Sequence, residues 1–92
     1  NIKVDLAFLG STGVNNTNGL TISYPLQISV KKKVVECSKQ CIALMDSSKY
    51  LRSGIYVFCD FSDIDVLITV ETDENKEQID RIAKEGVKII LV

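Results

Sequence analysis

The sequence predicts an α/β domain with a mainly parallel sheet. Two observations lead there. Four short stretches, Val4–Leu9 and residues 41–45, 66–68 and 87–92, are mostly apolar without strict alternation, which is how strands covered on both faces read. The segments between them include two stretches with helical spacing, and strands alternating with helices build layered α/β domains.

The first strand is stopped by Gly10 and the second by Asp46. A helix is expected over residues 25–39, because proline suits a first turn. A second is expected over residues 73–85, capped by Thr72 or Asp73 and closed by Gly86, since a hydroxyl or carboxylate can take the first free amides and glycine the left-handed turn at the end. Ile79, Ile82 and Ala83 give this second helix one apolar stripe. Glu77 with Arg81, and Asp80 with Lys84, form supporting pairs on its wet face. Residues 56–61 are expected to add a short strand or an irregular crossing segment, and residues 15–19 are a turn by composition.

Composition limits the function classes. The chain has 92 residues, 46 % hydrophobic and 25 % charged, which fits one globular domain or a piece of one. It opens at Asn1, on a strand and without a methionine, and is therefore expected to be a piece of a longer protein. The net charge of −1 supplies no basic field for nucleic acid. No apolar run reaches the roughly 18 residues of a membrane span. Cys37, Cys41 and Cys59 match neither a zinc-knuckle nor a redox-pair spacing, and no histidine is present to complete a metal site. They read as small buried hydrophobes in a reducing cytoplasm, with no metal and no cofactor.

In open parallel sheets ligands gather at the carboxyl ends of the strands. After the first strand come Gly10, Ser11, Thr12 and Gly13, two glycines bracketing two hydroxyls. Backbone amides can approach an anion there and the hydroxyls can donate to it, although such loops are also ordinary turns. After the second strand come Asp46, Ser47, Ser48 and Lys49. The carboxylate suits a sugar hydroxyl and the ammonium a phosphate; a capped turn with a solvated lysine would read the same way. On a wheel of 100° per residue, Leu26, Val34 and Cys37 fall within about 40° of Val30, while Ile28 and Val35 fall near 150°. Lys31 lies at about 100°, inside this apolar half, with Gln27 beside it. A lysine so placed either snorkels or points into a cavity toward an anion.

These residues also resemble a known family. Residues 4–13, running Val-Asp-Leu-Ala-Phe-Leu-Gly-Ser-Thr-Gly, resemble the D-x-A-F-x-G-x-x-G segment of the DeoR family of sugar-responsive transcriptional repressors. Gly19-Leu20-Thr21 resembles its G-[LIV]-T, Val30-Lys31-Lys32 its V-K-[RK] helix, and residues 44–49 its L-x-D-S-S-K. Residues 64–69 are similar to its strand ending in I-T-D. The motifs follow family order and spacing over nearly the whole chain. Two positions depart: Gln27 stands where the family usually carries a glutamate before its lysine, and Val70, followed by Glu71, replaces the I-T-D aspartate.

The resemblance implies a three-layer, Rossmann-like α/β sensor domain related to ribose-5-phosphate isomerase and CoA-transferase folds, truncated here on its N-terminal side. Residues 1–92 would be part of that effector-binding domain, and the winged helix-turn-helix that reads operator DNA would lie outside them. The expected ligand is a phosphorylated sugar, held by Gly10, Ser11, Thr12, Gly13, Lys31, Asp46, Ser47 and Lys49. No catalytic residue and no membrane contact are expected. A homo-oligomer is expected, with the apolar strands 4–9 and 87–92 as candidate exposed edges. Two alternatives remain. A sugar-phosphate isomerase needs a general base, for which only Asp46 stands near the motifs. A phospho-acceptor receiver domain needs paired acids after its first strand, and residues 10–13 hold none.

Overall fold

The computed structural model describes residues 3–92. Strands β1 (Val4–Leu9), β3 (Ser38–Met45), β5 (Val66–Thr69) and β6 (Lys88–Leu91) form a four-stranded sheet in the order β1-β3-β5-β6. Every pairing in it is parallel, so the expected mainly parallel α/β architecture holds. Strands β2 (Gly19–Ile22) and β4 (Tyr56–Asp60) form a separate antiparallel ribbon. Helix α1 (Ile28–Cys37) lies between β2 and β3, and helix α2 (Lys76–Lys84) between β5 and β6.

The sheet grows in one direction along the chain. Right-handed crossovers laid in one direction all fall on one side. The face carrying Ala7, Leu9, Cys41, Ala43, Met45, Leu67 and Thr69 is accordingly buried. It forms one core with Leu20, Ile22 and Phe58 of the ribbon and Ile79 and Ile82 of α2. The opposite face is apolar yet open: Leu6, Phe8, Leu44 and Ile90 are all exposed, Phe8 at 62 %. Of the three expected layers, the described residues supply two. The strands read as two-sided because both faces are apolar, but these residues cover only one.

Element boundaries follow local chemistry. The expected helix over residues 25–39 divides into a single 3-10 turn, Pro25–Gln27, and α1, which ends where Ser38 takes an extended conformation and starts β3. The second helix begins at Lys76. Before it, the Asn75 side chain accepts from the Thr72 amide at 2.8 Å while the Thr72 hydroxyl accepts from the Asn75 amide at 3.3 Å. This reciprocal latch satisfies amides that a helix start leaves free. Gly86, at φ 93°, closes the helix as expected. The edges of the sheet are β1 and β6, the two strands that the sequence marks as candidate edges.

The orientation of α1 differs from a simple apolar-stripe reading. Leu26 is 91 % exposed and Val30 64 %. Ile28 and Val35 pack against the core, with the half-buried Lys31 between them on the same line. The arc turned inward also carries Lys31, whose ammonium stands over the Phe58 ring at 5.4 Å, a favourable cation–π arrangement.

Candidate functional site

The loop after β1 is shaped by Ser11. Its hydroxyl lies 3.0 Å from the Gly13 carbonyl and 3.1 Å from the Thr21 carbonyl, and it accepts from the amides of Gly13 (3.1 Å) and Thr21 (3.0 Å). The Thr12 amide donates to the Thr21 carbonyl at 2.8 Å. Ser11 therefore spends its hydroxyl latching the loop to β2, whereas the Thr12 hydroxyl takes no part in this network.

The same loop is zipped to the segment after β3. The Val14 amide donates to the Lys49 carbonyl at 2.9 Å, and the Asn15 amide to the Arg52 carbonyl at 2.8 Å. A Cβ on Gly13 would stand 2.0 Å from the Arg52 carbonyl oxygen, so this approach requires glycine. From below, the segment is anchored by Tyr50, which is 1 % exposed. The Thr69 hydroxyl donates to the Met45 carbonyl at 2.8 Å, which leaves the Tyr50 hydroxyl to donate to Thr69 at 2.7 Å. Burial raises the Tyr50 pKa from its ordinary value, partly offset by that bond. The Gln78 side chain of α2 donates to the Tyr50 carbonyl at 3.0 Å.

These contacts frame a cleft of about 360 Å³ at the carboxyl ends of β1 and β3. Gly10, Ser11 and Thr12 form one wall; Lys31 and Gln27 come from the helix side, Lys49 and Arg52 from the segment after β3. Ile22 and Tyr24 complete the lining. Three cations thus line the cleft and no carboxylate does. The ion pairs among the described residues join Lys33 to Glu36, Lys39 to Asp5 and Lys76 to Glu71, so Lys31, Lys49 and Arg52 are not neutralised by direct pairing within that set. The volume is in the range of small-molecule sites.

Five of the eight residues nominated from sequence meet in this cleft: Gly10, Ser11, Thr12, Lys31 and Lys49. Lys31 and Lys49 share it despite their distance in sequence. Gly13 is buried behind the loop. Asp46 and Ser47 are not part of the lining. The Asp46 carboxylate accepts from the Ser48 amide at 2.9 Å and from the Ser48 hydroxyl, capping the 3-10 turn Ser47–Tyr50. These bonds hold its pKa below the ordinary 3.8, with the positive charges of Lys49 and Arg52 adding to the effect. Ser47 lines a neighbouring hollow of about 230 Å³ beside Tyr50 and Asn75. Arg52 and Tyr24 were not anticipated from sequence; for Arg52 the available signal was its position three residues after Lys49. Of the two departures from the family pattern, Gln27 lines the cleft. Val70 lies apart from it, its carbonyl accepting from the Asn75 side chain at 3.0 Å.

A larger hollow of about 470 Å³ lies at the opposite ends of β3 and β5, where Asp60, Asp63 and Asp65 face Lys32 and Lys39. Its charges are mixed and largely engaged locally. Asp65 accepts from the Cys41 amide at 2.7 Å and Asp63 from the Asp60 amide at 3.1 Å. Cys41 and Cys59 are buried beside it, and burial, the main cause, pushes the Cys59 thiol up to about 12. The cation-lined cleft is the better candidate site, because it lies where open parallel sheets place ligands and because its charge is of one sign.

An open parallel sheet with a cation-lined cleft at its strand ends is the plan of a ligand-receiving module. Comparison with known proteins places it more closely. Residues 1–71 match the model of the DeoR C-terminal sensor domain, and the chain belongs to that family. The HTH-type transcriptional repressor GlcR of Bacillus subtilis is 33 % identical over 88 residues, covering 96 % of this chain and 33 % of that protein. An uncharacterized HTH-type transcriptional regulator of Haemophilus influenzae is 35 % identical over 91 residues, covering 99 % of this chain and 35 % of the relative. A putative aga operon transcriptional repressor of Escherichia coli O157:H7 is 27 % identical over 92 residues, 100 % of this chain and 34 % of the relative. The chain spans about a third of the length of these curated relatives, which are transcriptional regulators. No helix among the described residues is long and apolar enough to cross a membrane.

Proposed function

We propose that these residues are part of the effector-binding domain of a cytoplasmic, DNA-binding repressor of carbohydrate-metabolism genes, and that a phosphorylated sugar occupies the cleft. The supporting observation is the lining itself, with Lys31, Lys49 and Arg52 around one hollow and no carboxylate among them. Such a site favours a compact anion, and the Thr12 hydroxyl, the Gln27 amide and the Tyr24 phenol are suited to sugar hydroxyls. Ligand binding would shift the population between arrangements that do and do not hold the DNA-reading domains in register. Those domains, operator contact and subunit association would belong to the longer protein. Within it, further chain would cover the open sheet face and form the third layer.

The same lining favours a sensor over an isomerase. Proton transfer between sugar carbons needs a general base. The cleft contributes neither carboxylate nor histidine, and Asp46 is committed to Ser48.

The test is a mobility-shift assay of the full-length protein on its own promoter region, with a panel of hexose and pentose phosphates and the parent sugars. One phosphorylated sugar is expected to change operator affinity while its parent sugar does not, and the Lys49→Gln variant should lose the response. A response to a free sugar alone would refute the assignment.

A further inference from the structure

The segment after β3 presents two cations to the cleft three residues apart, Lys49 and Arg52. Its main chain is fixed on two sides. The Lys49 and Arg52 carbonyls accept from Val14 and Asn15, and Val14 forms a β-bridge with Ser53. On the other side the buried Tyr50 ties the segment to Thr69 and α2. The glycine at position 13 is what allows the loop after β1 to lie against the Arg52 carbonyl. Arg52 is itself exposed, and on a loose loop it would be an ordinary solvated charge. Here it is rooted in a backbone held at both ends, lines the cleft, and joins no ion pair among the described residues. A guanidinium offers planar, forked donors that match two oxygens of one phosphate, whereas an ammonium acts as a point charge.

We propose that Arg52 is the specificity-determining residue of this cleft, gripping two oxygens of a doubly charged phosphate and so selecting a phosphate ester over a singly charged sugar acid. This rests on the assignment of the cleft as the effector site. Lys31 and Lys49 supply general attraction for anions; Arg52 supplies the geometric discrimination. Gly13 acts through Arg52 as a positioning residue.

The experiment is equilibrium dialysis of the full-length protein against radiolabelled inorganic phosphate, with glucose 6-phosphate and glucuronate as competitors. The wild type is expected to bind phosphate saturably and to prefer glucose 6-phosphate to glucuronate. Arg52→Gln should weaken the phosphate ligands by about tenfold or more, as loss of charge-assisted hydrogen bonds does, and shrink that preference. Arg52→Lys should restore attraction but only part of the preference. Wild-type affinity for glucose 6-phosphate should rise with pH as the ester takes its second charge, near pH 6, and this rise should flatten in Arg52→Gln. Arg81→Gln, which removes an exposed charge on α2, should change nothing. If Arg52→Gln keeps wild-type affinity and preference while Lys49→Gln loses phosphate binding, the role of Arg52 is overturned and the effector site stands. If the wild type binds none of these anions, both readings fail.

Discussion

The two helices are of similar length and teach opposite lessons. In α2 the apolar residues go inward: Ile79 and Ile82 are 4 % and 2 % exposed, and the charged residues face water. In α1 no residue is fully buried, the apolar line through Leu26, Val30 and Val34 faces outward, and the line that meets the core carries a lysine. Helix α2 is positioned by packing alone. Helix α1 gives up burial, carries Lys31 at the cleft lining and leaves an apolar stripe uncovered within these residues. An amphipathic pattern reports how much apolar surface a helix has, but which arc turns inward depends on its neighbours.

The sharpest way to break this contrast is to truncate matching positions. Ile82→Ala should cost about 2–5 kcal/mol, the usual range for emptying a core site. Val30→Ala should stay within about 0.5 kcal/mol, as exposed substitutions do. Urea denaturation of the two variants measures both, and a large loss at Val30 would mean that its face is covered. A second pair of substitutions separates the cleft wall from its backing. Gly13→Ala must displace the Arg52 carbonyl and should cost about 1–3 kcal/mol or more. Gly10→Ala meets nothing within 4 Å and should cost no more than about 0.5 kcal/mol. Thermal melts of the two would rank them. A smaller effect is expected at the anchor beneath the cleft. Tyr50→Phe removes one buried hydrogen bond while Thr69 keeps its bond to Met45, for a loss of about 1 kcal/mol in the same denaturation assay.

The smallest expected effect is at Asp46. Its folded-state pKa is depressed, so its contribution is present above the ordinary 3.8 and is lost as pH falls through the lower folded value. The Asp46→Asn variant should therefore show slightly less acid sensitivity of stability below about pH 4 than the wild type. An unchanged acid limb would mean that the Ser48 bonds carry no net weight in solution.

Much of this arrangement could be read from residues alone, and the failures have identifiable causes. Strand β1 is bounded correctly because its apolar run stops at a glycine, and the end of α2 because Gly86 closes it, while α2 begins at Lys76, three residues later than expected. Strand β2 was missed: its four residues follow a turn-rich stretch, and its partner β4 lies nearly forty positions away, so no local signal marks the pairing. The start of β3, at Ser38 and Lys39, reads as helix in the sequence because Lys39 falls on the wet arc of the helix wheel. In the cleft, Lys31 and Lys49 were legible as charges in the wrong surroundings and at a strand end. Asp46 and Ser47 looked equally suited, but local capping claimed the carboxylate and Ser47 faces a different hollow. Arg52 escaped notice because only the approach of the Gly13 loop, a long-range contact, turns its segment into a cleft wall.

The order of strands in the sheet has a consequence for how the chain is made. Val4 pairs with Ser38, Ile42 with Val66, and Val66 with Lys88, so each new strand joins the edge left by the strand before it. During synthesis each strand added after β1 to this four-stranded sheet finds its partner already emerged, and the sheet can extend one strand at a time without inserting a late strand between earlier ones. The topology makes each closure long in sequence, which slows folding, but it aligns the sequence of closures with the direction of translation.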